Sequence, residues 1–303
     1  MTEHEFTLQD RISKIKSIND LYDLESKSYI SFSGGKDSTV LHYLIDEALP
    51  GNKIPRVYIN TGIEFNATIS FVNQLSDTDN RIQTVAPSVN IKKVLEQYGY
   101  PFKNKLFSHN LHIYQNNGIT ANVKRFVENN KYGCSKQLQY CFKETLPFSV
   151  SEKCCDKIKK IPSLKWAKEN NKSINIIGIR KAEGGARNLH SNCTVFKDKQ
   201  CKTLERFSPL LPVSNDFIEW YISARNIKLC DLYYEPYNFY RQGCKGSPYS
   251  LDLQHQLDVM EKYLPSEKKQ CEILWKPVYE EYRRIGYRLR KDSPQLSLFG
   301  GEA

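Results

Sequence analysis

The chain has 303 residues, enough for one large core or one domain carrying a substantial insertion. Hydrophobic residues make up 40% and charged residues 26%, an ordinary balance for a soluble protein, and no apolar run is long enough to span a bilayer. The formal charge of +10 suits a polyanionic partner, a nucleotide or a nucleic acid. The opening MTEHEFTLQD does not read as a signal peptide, so a cytoplasmic protein is expected. Residues 6–26 then read as a leading helix, with Leu8, Ile12, Ile15, Ile18 and Leu21 at helical spacing.

Residues 29–39 are YISFSGGKDST. Residues 29–32 read as a short buried strand, Ser33, Gly34 and Gly35 as a sharp turn, and residues 37–47 as a helix with Val40, Leu41, Leu44 and Ile45 on one face. Without Cβ atoms at the glycine pair, backbone N–H groups can close on a phosphate, and the positive end of the helix dipole points at the same place. Ser33, Ser38 and Thr39 add hydroxyls, and Lys36 adds charge. A Walker A loop needs four residues between its first glycine and Gly-Lys, which this run lacks. The pattern Ser-Gly-Gly-x-Asp-Ser, with Asp37 inside it, resembles the pyrophosphatase loop (PP-loop) of the adenine-nucleotide α-hydrolase superfamily. That resemblance implies a grip on the β- and γ-phosphates of ATP and attack at the α-phosphate.

Residues 56–60 (RVYIN) read as a second strand, ending in Thr61, Gly62, Ile63, Glu64 and Phe65 before a helix to about residue 75. In a doubly wound sheet this turn lies beside the first loop, at the carboxyl edge where ligands bind. Thr61, Gly62 and Glu64 are therefore nucleotide-site candidates, with an exposed carboxylate at the helix start as the alternative for Glu64. Residues 81–85 form the third strand candidate and residues 91–98 a helix, followed by a polar, helical insertion over about 102–150. Residues 173–179 (SINIIGI) read as a buried strand. After it come Arg180 and Arg187, separated by Glu183, Gly184 and Gly185, which suggests a second anion grip. Ser214 or Asn215 reads as a helix cap, and residues 251–290 as helical, rich in Tyr, Arg and Lys. Nine cysteines in such a chain point to metal, cluster or catalytic thiols more than to a disulfide frame, with Cys230 a core residue.

Taken in order, the loop, Thr-Gly-Ile-Glu-Phe, Cys154-Cys155 before Lys-Lys-x-Pro, Gly-x-Arg…Arg, Pro-Leu-Leu-Pro and Arg-x-Gly-Cys resemble the phosphoadenosine phosphosulfate (PAPS) reductase family from about residue 26 to 250. The resemblance implies a Rossmann-like α/β fold, a doubly wound parallel sheet with a helical insertion and a helical C-terminal region. It carries nucleotide binding to Ser33, Gly34, Gly35, Lys36, Asp37 and Ser38, and phosphate or sulfate contacts to Arg180 and Arg187, although Gly184 stands where Ser is usual. The C-terminal Glu-Cys-Gly-Leu-His motif of thioredoxin-dependent members is missing. Cluster-bearing relatives follow their Cys-Cys pair with Cys-x-x-Cys, and here Ser247 replaces the last Cys after Cys244. A [4Fe–4S] cluster would then rest on Cys154, Cys155 and Cys244, with Ser247 or Cys271 completing it, or the cluster is lost. Cys193 and Cys201 are further candidates.

Residues 291–303 read as a tail. Within it Gln295, Leu296, Leu298 and Phe299 resemble the sliding-clamp-binding peptide of bacterial DNA enzymes. The expected architecture is a nucleotide-binding domain over 1–250, a helical extension over 251–290 and this tail. The expected activity is binding of ATP with Mg²⁺, Asp37 a candidate ligand, and cleavage at the α-phosphate to adenylate an acceptor in sulfur transfer or DNA modification. Lys36, Asp37, Arg180 and Arg187 are its catalytic candidates. The expected partners are an adenine nucleotide, DNA, the bacterial sliding clamp and a sulfur-donor protein, with no membrane. The alternatives are a cluster-using sulfonucleotide reductase and a non-catalytic, nucleotide-binding module associated with DNA.

Overall fold

The computed structural model describes residues 1–129 and 133–291, so the clamp-like peptide at 295–299 lies outside the described residues. Along the chain run α1 (Glu3–Tyr22), α2 (Leu24–Lys27), β1 (Ser28–Phe32), α3 (Lys36–Ala48), β2 (Arg56–Ile59), α4 (Asn66–Thr78), β3 (Ile82–Val85), α5 (Ile91–Tyr98), α6 (Lys105–Asn117) and α7 (Ala121–Glu128). After these come α8 (Ile161–Glu169), β4 (Ile174–Ile176), β5 (Thr194–Phe196), β6 (Leu204–Phe207), α9 (Asn215–Ala224), α10 (Leu253–Tyr263), α11 (Pro265–Leu274) and α12 (Lys276–Ile285). The expected leading helix is broken at Asp23, whose φ of 56° ends α1 and whose side chain caps α2 through Ser26 N. The strand expected over 173–179 is shorter: β4 ends at Ile176, Ile177 N still donates to Phe207 O at 2.9 Å, and residues 177–180 line a cavity.

The chain groups into two compact units. One takes Met1–Asn90 and Asp156–Gly243, the other Ile91–Cys155 and the described part of Cys244–Ala303. The stretch expected to be an insertion thus begins at residue 91 and joins the C-terminal helices, and the boundary expected at 250 falls after Gly243.

The first unit carries the sheet, in the order β3-β2-β1-β4-β6-β5. Its strands are parallel except β5, which runs antiparallel to β6. Neighbouring β1 and β4 lead away in opposite directions, so their carboxyl ends open a crevice at the topological switch point. Side chains alternate across the sheet. Ile30, Ile176 and Phe207 enter the large core with Val40, Leu41 and Leu44 of α3, Leu8, Ile12 and Ile15 of α1 and Phe217 and Ile218 of α9. Tyr29 and Val57 face the other side, where a smaller cluster contains Trp166 and Ala167 of α8.

A charged cluster ties α3 to the start of β2. Arg56 is 0% exposed and donates to Asp46 at 2.6 Å, and Arg81 joins Asp46 and Asp79, each at 2.7 Å. Removing one partner leaves a buried charge uncompensated, which costs more than the pair contributes. Asp46→Ala is expected to cost about 3–5 kcal/mol in urea unfolding. His42 accepts from Arg56 Nε at 3.1 Å, and burial lowers its pKa to about 4. The fold therefore keeps the neutral ring. Its contribution is complete above about pH 6.5 and is lost as pH falls towards 4, a loss of up to about 3 kcal/mol readable as a falling urea midpoint.

Candidate active site

The turn after β1 opens onto a cavity of about 300 Å³ that also takes in residues 177–180 after β4. Gly34 has φ +70°, and a Cβ there would stand 3.0 Å from Val72 Cγ2 and 3.2 Å from Thr68 Cγ2. The left-handed turn and the close approach of α4 both require glycine. Gly35 is the N-cap of α3 and has no side chain to cap the helix, so the first turn takes its partners from elsewhere. Ser33 and Ser38 brace the loop, their hydroxyls 2.9 Å apart, and Ser38 Oγ donates to Gly35 O at 2.9 Å. Lys36 N donates to the Tyr233 hydroxyl at 2.8 Å. Tyr233 is a residue the sequence reading did not single out. Burial raises its pKa, so it stays a neutral hydroxyl as it accepts that bond.

The opposite wall is an ordered set of charges. Arg180 is 4% exposed; its Nε reaches Asp37 Oδ1 at 2.8 Å and its Nη1 reaches Asn215 Oδ1 at 2.9 Å. Glu183 Oε1 accepts from both Arg187 and Arg241. Lys36 Nζ lies 2.6 Å from Glu219. Each cation of the wall is thus held by a carboxylate, and the forks are set before any anion arrives. The structure brings Ser33, Gly35, Lys36, Asp37, Ser38, Arg180 and Arg187 around one space, and adds Asn215, Glu183, Tyr233 and Arg241. The signal for Arg241 was present in Arg-x-Gly-Cys.

Thr61, Gly62 and Glu64 do not join that space. Glu64 is 6% exposed, not a solvent-facing carboxylate at the helix start, and it turns back on its own loop. It accepts from Thr61 N at 2.9 Å and Thr61 Oγ1 at 2.7 Å, and Lys159 stands 3.7 Å away. Glu64 lines a second cavity, of about 820 Å³, which shares Ser31, Ser33, Ile177 and Gln242 with the first. Thr61 and Gly62 line neither.

The second unit holds the thiols. Cys154 Sγ lies 4.0 Å from Cys155 Sγ. The hydrogen bond to Cys155, burial, and the nearby Cys155 and Cys244 sulfurs together raise the Cys154 pKa. Cys155 and Cys244 thus lie near enough to Cys154 to oppose its ionisation. Cys271 packs with its sulfur against the Gly246 backbone, in the loop that carries Cys244, and burial pushes its pKa up to about 12. Ser247 Oγ accepts from Tyr249 N at 3.2 Å. Trp275 Nε1 donates to Lys245 O at 3.0 Å, and Tyr279 OH donates to Gly246 O, so α11 and α12 fasten the Cys244 loop. Cys193 and Cys201 belong to the first unit. Cys193 packs on its core, and Cys201 is exposed. Cys230 is fully buried there, as its apolar setting predicts.

A glycine turn and helix start at the switch point of a parallel sheet, faced by positioned arginines, define a Rossmann-like α/β protein of the nucleotide-loop class. The model of the phosphoadenosine phosphosulfate reductase domain matches residues 27–116 and 129–287, and the chain belongs to that family. This is the family the motif order indicates. An uncharacterized protein of Methanocaldococcus jannaschii is 33% identical over 104 residues, 31% of this chain and 25% of that protein, so the chain spans about a quarter of that curated relative's length. Among solved structures, the chain is similar to a PAPS reductase from Candida auris in a phosphate complex, at 12% identity, 72% coverage of this chain and 88% of that one, TM-score 0.40. It is similar to a Candida glabrata FMN adenylyltransferase with FMN and AMPCPP, at 18% identity, 75% and 60% coverage, TM-score 0.40. It is also similar to the U34-tRNA thiolase NcsA of Methanococcus maripaludis with its [4Fe–4S] cluster, at 17% identity, 99% and 86% coverage, TM-score 0.40.

Proposed function

We propose that this protein is an ATP-dependent PP-loop enzyme that cleaves between the α- and β-phosphates and transfers AMP to an acceptor. The observation that carries the reading is the glycine-led start of α3 opening, with Lys36, onto a cavity whose far wall holds Arg180 and Arg187. The polyphosphate lies against residues 33–38, and the nucleoside reaches towards the shared wall of Ser31, Ser33, Ile177 and Gln242. An acceptor oxygen forms a bond to the α-phosphorus, the bond to the bridging oxygen breaks, and pyrophosphate leaves with that electron pair. Lys36 and the loop amides hold the leaving group. Arg180 and Arg187 meet the charge that builds in the transition state. Mg²⁺ enters on the phosphates, and Asp37 is the loop carboxylate able to meet it. The basic charge favours a nucleic-acid acceptor in a sulfur-transfer or DNA-modifying reaction, carried out in the cytoplasm. A sulfur-donor protein and the sliding clamp, through residues 295–299, are the partners this reading calls for.

The converging thiols favour a second reading, a sulfonucleotide reductase. Cys154, Cys155 and Cys244 fit an iron–sulfur group as three thiolate ligands, and binding would relieve the opposition that now raises the Cys154 pKa. Such a group supplies electrons or sulfur when bound. Ser247 or Cys271, which packs against Gly246 in the same loop, would complete the set. The test uses α-labelled ATP with a single-stranded oligonucleotide. The adenylating reading expects pyrophosphate, and label in AMP or on the acceptor. ADP as the only product, or sulfite released from PAPS without ATP turnover, would count against it.

A further inference from the structure

Three of the four buried side-chain atoms left without a hydrogen-bond partner among the described residues line one place, the 820 Å³ cavity. They are Tyr58 OH, Arg206 Nε and Gln242 Nε2. Buried polar groups are normally paired, and Tyr58 is only 2% exposed. The cavity lies on the sheet face of Tyr29 and Val57, beside Leu164 of α8. Its rim is cationic. Lys168 comes from α8, Lys172 precedes β4, Lys197 follows β5 and Arg206 lies in β6. Lys168 and Lys197 form no ion pair among the described residues; of the two lining carboxylates, Glu64 is already engaged by Thr61 and Lys159, and Glu205 is exposed on β6. An apolar, aromatic floor with unmet donors and a positive rim matches a planar base carrying phosphate. These cations come from four separate segments rather than one nest, an arrangement that suits the repeated phosphates of a strand more than the single phosphate group of a mononucleotide.

We propose that the part of this cavity beyond the shared wall is a second ligand site, which seats one nucleotide unit of a single-stranded nucleic acid. The base lies over Tyr29 and Val57, within reach of Tyr58 OH, and the flanking phosphates lie on Lys168, Lys197 and Arg206. The inference rests on the reading above only in leaving the smaller cavity to the triphosphate.

The test is fluorescence anisotropy with a labelled ten-nucleotide single strand, in the presence of saturating non-hydrolysable ATP analogue. The strand is expected to bind with the analogue in place. Lys168→Glu/Lys197→Glu should weaken it at least tenfold and make the salt slope shallower by about one to two charges. Tyr58→Phe should weaken it at least threefold while the thermal midpoint does not fall, because a hydroxyl without a protein partner contributes nothing to folding. Unchanged strand affinity in both variants overturns the site. So does displacement of the strand by the analogue, or by an equal concentration of free mononucleotide. Analogue binding is read separately. Its failure would strike the ATP reading, and strand binding measured without analogue would still test this site.

Discussion

Arg180→Lys is expected to lower pyrophosphate release from ATP by about 10²–10³-fold, the usual effect of removing one positioned donor to a developing oxyanion. The reason lies in the fork. Nε holds Asp37 at the start of α3 while Nη1 holds Asn215 at the start of α9, and only a planar guanidinium spans both at once. A lysine keeps the charge but bonds one partner at a time, so Asp37 swings free beside the polyphosphate. The loss should fall on turnover more than on the Michaelis constant, because binding rests on the loop amides and Lys36. Steady-state kinetics separate the two. A variant with wild-type turnover would show that Arg180 only pins α3 to α9.

Gly178→Ala should weaken ATP binding at least tenfold and cost about 1–3 kcal/mol of stability, the range for overpacking. A Cβ at this position would stand 2.9 Å from Asp37 O and 3.1 Å from Asp37 C. Both sides of that contact are backbone. Ile176, two residues before, is paired in the sheet, and α3 is sealed by the core residues Val40, Leu41 and Leu44. Neither can yield without moving the phosphate loop. Gly243→Ala serves as the contrast, since nothing lies within 4 Å of its added Cβ. Calorimetric titration and thermal unfolding read both effects. Equal behaviour of the two variants would mean that the β4 end does not set the loop.

The loop itself was legible because its chemistry is local. Residues 29–39 contain the strand, the glycine turn, the charge and the helix start within eleven positions, and α3 begins one residue before the place expected. Arg180 and Arg187 were legible because a strand end marks where a side chain emerges. Tyr233, Asn215 and Gln242 were not, because they reach the cavity from segments nearly 200 positions downstream of the loop, and only packing decides that. Glu64 sits at the turn after β2, where spacing puts it, but only packing shows that its two bonds to Thr61 turn it inward and that it lines the larger cavity. Cys271 sits beneath Gly246, where α11 buries it against the loop that carries Cys244, a contact no spacing in the sequence shows. The division into units was hidden for the most general reason: residues 91–155 and those after 243 are far apart in sequence, and hydropathy shows which faces are apolar but not which faces meet.

The most direct measurement is calorimetric titration of inorganic pyrophosphate and of ATP into the wild-type protein and Lys36→Ala. The seat formed by residues 33–38 predicts that the two ligands compete, and that the substitution weakens both at least tenfold. Pyrophosphate that binds alongside ATP, or that binds Lys36→Ala as tightly as wild type, would place the polyphosphate elsewhere and contradict the account.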